Sequence, residues 1–343
     1  MPSEETAIVT EPVSQGGNER KLVEGFDLLK IAMAVLIVDM HAGVSGCLSG
    51  YGLKGTLDWI NELAVPVFFL LSSWFFFAGL RGTAARDGLR KLARREWRVA
   101  RLYIFWTVAL GYWVVTLWHP EYMWFSALTP LVVVKKFLLG GQFGGGWFFG
   151  ALLVGVPVVY GLYRLLGRRG VWVLPLAVYI FLFIGGGNEG FYAWYSRVVS
   201  TRPDLSFPAG LLWISLGCVL GCDQGRAVME RTPVWVSVPA FLVSAVFGCV
   251  IEQAGWVFRI PAVVALVFAS YRMTGAGAAL CRHLRAVSVH IFCLHYTVIR
   301  LLEGVIGNSL LLFVAALAVS WLISECIIAL SRVRGFGWLK YSM

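Results

Sequence analysis

The chain alternates between long apolar runs and short polar connections. Ten of these runs have roughly the 17–25 residues that a helix needs to cross the hydrocarbon layer of a bilayer. They lie at 26–46, 62–80, 102–119, 147–166, 171–187, 207–222, 234–252, 256–272, 287–305 and 308–330. No connection between them is long enough to fold alone. The pattern therefore predicts an all-α integral membrane protein with about ten transmembrane helices, in a single domain spanning 26–335.

The composition of the 343 residues supports this prediction, because 59% are hydrophobic, 15% are aromatic and only 14% are charged. A soluble domain usually carries about 25% charged residues. The polar segment 1–25 has no apolar run and is predicted to be a disordered cytoplasmic tail. The segment 336–343 is predicted to be a second, short cytoplasmic tail.

The distribution of basic residues predicts the orientation of the chain. Most of the 29 Lys and Arg residues fall in connections on one side, and such loops stay in the cytoplasm. The opposite side holds Lys54, Lys135, Lys136, Arg197 and Arg202. Both termini are therefore predicted to be cytoplasmic, and the net charge of +10 is attributed to anionic lipids as partners, not to nucleic acid. The basic stretch 90–98 is interpreted as a loop on lipid head groups, with which a polyanion-binding patch is compatible.

Two sequence features point away from metal and nucleotide-loop chemistry. The seven cysteines include no CxxC pair and no His/Cys cluster at zinc spacing, so no metal site is predicted. The glycine-rich stretch 140–146 lacks the lysine and the strand-to-helix setting of a phosphate loop. It is interpreted as a flexible hinge before the fourth predicted helix, or as a re-entrant segment that lines a cavity.

The first apolar run carries four ionisable residues, Asp27, Lys30, Asp39 and His41. A charge at the centre of a membrane helix costs about 2.5–3.5 kcal/mol on insertion scales, so such residues are candidates for function. Lys30 and His41 lie eleven residues apart, which places them on one helix face and about 16 Å apart along the axis. Asp27 is spaced to pair with Lys30, whereas Asp39 lies about 200° around the helix from His41.

Each of these two residues also has an ordinary interpretation. Lys30 can extend along the apolar surface until its ammonium group reaches the inner interface. A histidine near the outer head groups, or one bonded within the helix bundle, needs no chemical role. Their placement on one face of one helix favours a functional site over these alternatives.

The same residues belong to a series of motifs that resembles the acyltransferase-3 family of membrane O-acyltransferases. The series extends from about 25 to 335 in the family's order. It comprises Phe-Asp-Leu-Leu-Lys at 26–30 with His41, Phe-Phe-Leu-Leu-Ser-Ser at 68–73, the segment from Arg98 to Trp106, Trp-Phe-Phe at 147–149, and the segment from Ser288 to His295. The chain departs from the family pattern at Lys30 for Arg, Ser73 for Gly and Tyr296 for Pro. Lys lacks the bidentate fork of Arg, so its contact with phosphate would differ.

The resemblance implies transfer of an acyl group, often acetyl, from cytoplasmic acyl-CoA to a hydroxyl or amine. A hydroxyl is a weak nucleophile near neutral pH, and an imidazole is suited to removing its proton. His41 is therefore expected to act as general base or to carry the acyl group as an acyl-imidazole. Lys30, with Arg98 and Arg101, is expected to hold the phosphates of acyl-CoA (acetyl-CoA). The reach of the pantetheine arm is comparable to the spacing between Lys30 and His41.

Four further residues are expected to shape the pocket, namely Asp27, Ser72, Trp147 and His295. Core packing explains Ser72 and Trp147 equally well, and His295 is expected either to bond the reacting carbonyl or to order its own helix. The acceptor stays open between a cell-envelope glycan, a lipid and a small molecule. The expected location is the bacterial inner (plasma) membrane, and a homodimer is a candidate assembly.

Two other functions fit the same intramembrane charges. A proton-coupled transporter or flippase could use a path of ionisable residues, for which the candidates are Asp39, His41, Arg259, His290, Arg300, Glu303 and Glu325. No internal repeat is obvious in the sequence, which counts against a transporter. A non-catalytic membrane subunit or lipid sensor could use these charges only to set helix packing. The sequence favours the acyltransferase.

Overall fold

A computed structural model of the protein describes residues 23–51, 53–124, 129–171, 173–183, 189–199, 201–251 and 255–343. Every regular element within these ranges is helical, which confirms the all-α prediction. The α-helices are α1 Glu24–Ala42, α2 Lys54–Asn61, α3 Ala64–Ala78, α4 Ala85–Ala109, α5 Gly111–Trp113, α6 Thr129–Lys135, α7 Gly146–Gly170, α8 Val173–Phe183, α9 Glu189–Val199, α10 Phe207–Gly221, α11 Asp223–Arg231, α12 Val234–Val250, α13 Gly255–Tyr271, α14 Ala278–Leu302 and α15 Ser309–Leu330.

All ten predicted apolar runs overlap helices of the structure, although their bounds differ. Four helical segments are long and apolar enough to cross a membrane, namely Lys54–Ala78, Gly146–Gly167, Ala278–Leu302 and Ser309–Leu330. Counting each of three bent helix pairs as one span raises the number to seven. Three shorter apolar helices also occur, at α8, α12 and α13. The described residues thus support four to seven spans, and the count of ten and the cytoplasmic ends stay predictions.

Parts of the predicted organisation fall outside the described residues. The predicted tail 1–25 lies there except for its last three residues, of which the last two already belong to α1. The end of the predicted run 171–187 lies there as well. The proposed disorder of the tail therefore stays a prediction.

α1 ends earlier than the predicted run 26–46. Gly43 has a left-handed backbone with φ 73°, and its N–H donates to the Asp39 carbonyl, an arrangement that ends helices. The chain then bends by 67° into the segment Val44–Gly50. His41 therefore lies in the last turn of α1, next to a bend, and not inside a longer helix.

The predicted run 102–119 is likewise divided by a bend. α4 begins well before it, at Ala85, so one helix carries both the basic stretch and the first half of the apolar run. After α4 the chain bends by 76° into Gly111–Trp118. A pattern of apolar residues does not show such a bend, because both arms are equally apolar.

α1 lies inside the helix bundle, where it packs against α14, α3, α13 and α15. Its buried apolar side chains include Phe26, Met33, Ile37 and Val38. α10 packs on α3 and α7 at one side of this core. Of its polar residues, Asp27 and Asp39 are buried, whereas His41 is exposed.

The predicted C-terminal tail 336–343 forms a short helical segment, Gly337–Ser342, which packs against α4 and α15. Ser342 is fully buried. Trp106 Nε1 on α4 donates to the Ser342 carbonyl at 3.2 Å, and the Arg101 guanidinium lies 4.3 Å from the centroid of the Tyr341 ring. The C-terminal segment is therefore an integral part of the bundle.

Candidate active site

A cluster of charged residues joins the N-terminal parts of α1 and α14. Arg285 on α14 donates two hydrogen bonds to Asp27 on α1, from Nε to Oδ1 at 2.9 Å and from Nη2 to Oδ2 at 2.6 Å. Lys30 Nζ lies 3.8 Å from Asp27 Oδ1 and 4.5 Å from the centroid of the Phe75 ring on α3. Two cations therefore share one buried carboxylate, and the cluster keeps a net positive charge.

Two histidines lie together further along the same two helices. The ring centroids of His41 on α1 and His295 on α14 are 5.2 Å apart, with planes inclined by 28°. The Tyr296 ring lies 4.8 Å from His41, edge to face. Because Asp27 meets Arg285 near one end and His41 meets His295 near the other, α1 and α14 run parallel. The cations and the histidines are separated by roughly 15 Å along each helix.

The two imidazoles have different surroundings. His41 is exposed, whereas His295 is 1% exposed. His295 Nδ1 lies 2.9 Å from the Phe292 carbonyl oxygen and 3.1 Å from that of Ile291. Carbonyl oxygens only accept hydrogen bonds, so Nδ1 carries the hydrogen and Nε2 of the neutral ring carries a lone pair. Within the described part of the chain, Nε2 has no hydrogen-bond partner.

The glycine-rich stretch 140–146 packs against the turn of α14 that carries His295. A Cβ atom at Gly144 would lie 2.6 Å from Tyr296 Cγ, and one at Gly145 would lie 3.1 Å from the Phe292 carbonyl oxygen. His119 Nε2 lies 2.9 Å from the Gly141 carbonyl oxygen. A side chain at Gly144 would clash with Tyr296, so the stretch packs closely beside the histidine pair. The interpretations of the stretch as a flexible hinge or as a re-entrant segment that lines a cavity stay predictions.

A comparison with models of protein families identifies the family to which this chain belongs. The model of the acyltransferase-3 family, described as an acyltransferase domain, matches residues 23–325. The chain belongs to the acyltransferase-3 family. The match confirms the resemblance inferred from the sequence motifs and supports acyltransferase activity in general. The apolar helices together with the family indicate a multi-pass membrane protein.

One curated relative is also similar to part of the chain. It is a protein named amino-acid racemase from Enterococcus faecalis, which is 21% identical over 174 residues. The similarity covers 51% of this chain but 24% of the relative, so the chain spans about a quarter of the length of the curated relative that it matches. No solved structure matches the chain significantly.

Ser72 and Trp147, two predicted pocket residues, lie on α3 and α7. Ser72 is partly exposed and lies one turn before Phe75 on α3, so it shares the face that Lys30 contacts. Trp147 lies in the first turn of α7, with its ring centroid 5.9 Å from that of Phe69. A pocket role for both stays a prediction, as does the alternative of core packing.

The two predicted phosphate ligands on α4 lie apart from the cluster on α1. Arg101 stacks on Tyr341, and Arg98 is exposed. The described contacts do not join either residue to Lys30, since α4 packs chiefly against α7 and the C-terminal segment. Their binding to acyl-CoA stays a prediction.

Two residues that border the site were not predicted from the sequence, Arg285 and Tyr296. Arg285 precedes His295 by ten residues, close to the eleven that separate Lys30 from His41. A search for a second cation and histidine at this spacing would find it. Tyr296 is distinguished in the sequence only as a departure from the family pattern, and its contact with His41 depends on how the helices pack.

The charges that a transporter could use have local partners in the structure. Asp39 accepts a hydrogen bond from Asn61 Nδ2 at 2.5 Å, on the side of α1 away from His41. The other pairs are Arg259 with Glu62, Arg300 with Glu303, Glu325 with His283, and His290 with Ser324 and Ser342. Each of these residues thus has a local partner, and the transporter is not favoured.

Proposed function

We propose that the protein is a membrane O-acyltransferase that moves an acyl group from cytoplasmic acyl-CoA to an acceptor hydroxyl. The proposed acyl group is acetyl. The acceptor is a cell-envelope glycan, a lipid or a small molecule, and the membrane is the bacterial inner membrane. The observation that carries this proposal is the parallel pairing of α1 and α14. It puts cations at one end of a helix pair and imidazoles at the other.

The cationic end suits the phosphates of acyl-CoA. Lys30 and Arg285 share Asp27 as their acidic partner, so positive charge remains for a phosphate group. The Arg285 side chain is 43% exposed, which leaves it open to a ligand. Charge-assisted hydrogen bonds from ammonium and guanidinium groups are the strong contacts that phosphates make in proteins. Arg98 and Arg101 stay the expected contacts for the remaining phosphates.

The distance between the two ends suits the rest of the donor. Lys30 and His41 are about 16 Å apart along α1, which is comparable to the reach of a pantetheine arm from its phosphates to its thioester. A donor held by Lys30 would therefore present its thioester near His41. The acceptor would approach from the bent end of α1, where the glycine-rich stretch borders the histidines.

His41 is the proposed general base or acyl carrier. As a base, it takes the proton of the acceptor hydroxyl while the oxygen attacks the thioester carbon. The C–O bond forms, the C–S bond breaks, and the proton passes to the departing thiolate. As a carrier, His41 attacks the thioester carbon first, the C–S bond breaks, and the departing thiolate takes the imidazole proton. The acceptor oxygen then attacks the acyl-imidazole, the C–N bond breaks, and the hydroxyl proton returns to the imidazole. Its exposed ring suits both roles.

The test is release of free CoA thiol from acetyl-CoA by the purified protein in lipid nanodiscs, with a cell-envelope extract as the source of acceptors. His41→Ala is expected to lower turnover by about 10²–10⁴-fold, the usual contribution of a general base. Membrane insertion and the unfolding temperature should stay unchanged. The matched control is His283→Ala, which removes an imidazole of α14 that pairs with Glu325 on α15. Wild-type turnover in His41→Ala would reject the assignment.

A further inference from the structure

The hydrogen bonds of His295 restrict what this residue can do. The sequence leaves two roles open, bonding the reacting carbonyl or ordering its own helix. Because Nδ1 donates to the carbonyl oxygens of Ile291 and Phe292, the neutral ring has no hydrogen at Nε2. It therefore has no hydrogen to donate to a carbonyl of the substrate. Nε2 of neutral His295 only accepts.

The hydrogen bonds from Nδ1 to backbone carbonyl oxygens fix the orientation of the His295 ring, but they do not involve Nε2. This atom is buried and has no partner in the described part of the chain. Buried polar atoms normally have a partner, since they lose their hydration without compensation. A lone pair kept in this position points to a donor that reaches it in another state of the site.

The nearest candidate donor is the ring of His41. Two imidazoles joined edge to edge by an N–H···N bond have centroids about 5 Å apart, since N···N is about 2.9 Å and each nitrogen lies about 1.1 Å from its centroid. The observed separation of 5.2 Å matches this distance, but the two rings are stacked, with planes inclined by 28°. The bond therefore requires the His41 side chain to turn and shift until its edge faces Nε2, and His41 is exposed. Tyr296, 4.8 Å away, keeps the ring beside His295.

We propose that His295 is a positioning residue that accepts the N–H of His41 at Nε2, an inference that rests on the proposed role of His41. The bond leaves the opposite nitrogen of His41 with its lone pair directed at the reacting group. The acceptor hydroxyl gives its proton to that nitrogen, the C–O bond forms and the C–S bond breaks. The proton then moves from His41 to the CoA thiolate. While His41 is positively charged, its bond to Nε2 stabilises it, and His295 itself neither gains nor loses a proton.

Substitution of His295 by Asn or by Gln tests the roles of its two ring nitrogens separately. In His295→Gln the amide oxygen lies near the position of Nε2 and keeps an acceptor there, whereas in His295→Asn the amide lies near Nδ1 and keeps only the backbone bond. We expect kcat for release of CoA from acetyl-CoA to fall about 10²-fold in His295→Asn and in His295→Ala. In His295→Gln it should stay within about tenfold of wild type, and KM for acetyl-CoA should change less than about twofold in all three.

The matched controls use His290, which lies on the same helix with both ring nitrogens bonded, to Ser324 Oγ at 2.7 Å and Ser342 Oγ at 2.9 Å. His290→Asn and His290→Gln should lower the unfolding temperature without differing from each other in kcat per folded molecule. A purely structural role of His295 predicts the same for its own Asn and Gln variants, and that result would overturn the proposal. If His295→Ala does not fold, the Asn and Gln pair still decides.

The same assay separates this inference from the proposed function. No CoA release by the wild-type protein, or full turnover in His41→Ala, would reject the acetyl-CoA-dependent function of His41. Where wild type is active and His41→Ala is not, full kcat in His295→Asn rejects the positioning role alone.

Discussion

Asp27 and Arg285, 258 positions apart in the chain, are joined by a two-point ion pair that sets the register of α1 against α14. The same register brings His41 within 5.2 Å of His295, centroid to centroid. We therefore expect a shift at the ion pair to change the contact between the histidines as well.

Removal of the ion pair is expected to destabilise the helix pair. Asp27→Asn should lower the free energy of unfolding by about 2 kcal/mol, because a hydrogen-bonded charge pair is lost but Arg285 is partly hydrated. Arg285→Gln should have a similar effect, and the double variant should lose less than the sum. Equilibrium unfolding in detergent micelles measures all four proteins. Strictly additive losses would contradict the pairing.

Lys30 is expected to control the affinity for the donor. Lys30→Ala should weaken acetyl-CoA binding about tenfold, the loss of one charge-assisted contact with phosphate. Lys30→Arg should bind nearly as well as wild type, since Arg also contacts phosphate. Isothermal titration of the protein in nanodiscs gives the dissociation constants.

The control for Lys30 is Lys54→Ala, which removes an exposed lysine paired with Asp58 on α2. Its affinity for acetyl-CoA should equal that of wild type. Equal affinity in Lys30→Ala as well would rule out the phosphate role.

The close contact between Gly144 and Tyr296 should be sensitive to a single methyl group. Gly144→Ala would place Cβ 2.7 Å from Tyr296 Cβ, so backbone or helix must shift, at a cost of about 1–3 kcal/mol. Because Tyr296 packs on His41, release of CoA from acetyl-CoA should fall as well. Gly161→Ala is the control, since a Cβ there meets nothing within 4 Å and alanine favours a helix. Equal stability and turnover of the two variants would show that the contact is not restrictive.

The orientation of the chain can be tested with single cysteines. In a variant without native cysteines, Lys54→Cys and Arg90→Cys place a thiol at two exposed positions, where the native side chains are 55% and 59% accessible. A membrane-impermeant maleimide should label position 54 in intact spheroplasts and position 90 only after permeabilisation. The reverse pattern would invert the predicted topology.

Several features of this protein follow from interactions between residues that are close in the sequence. The apolar runs predict helices because a backbone in lipid must satisfy its own hydrogen bonds. The spacing of Lys30 and His41 predicts a shared face because helix periodicity is set by neighbouring residues alone. The ordered motifs led to the acyltransferase-3 family, which the family match at 23–325 confirms.

Other features were decided only by tertiary packing. The bends after α1 and α4 cannot be read from the pattern of apolar residues. The C-terminal segment 336–343, predicted to be a short cytoplasmic tail, packs against the bundle. Sequence spacing paired Asp27 with Lys30, three residues away, whereas the structure gives Asp27 its stronger bond to Arg285 on a distant helix. The local geometry of α1 determines where Lys30 and His41 point. Only the packing of α14 beside α1 places a second cation, Arg285, at the Asp27–Lys30 pair and a second imidazole, His295, beside His41. Nε2 of His295 has no hydrogen-bond partner in the described residues.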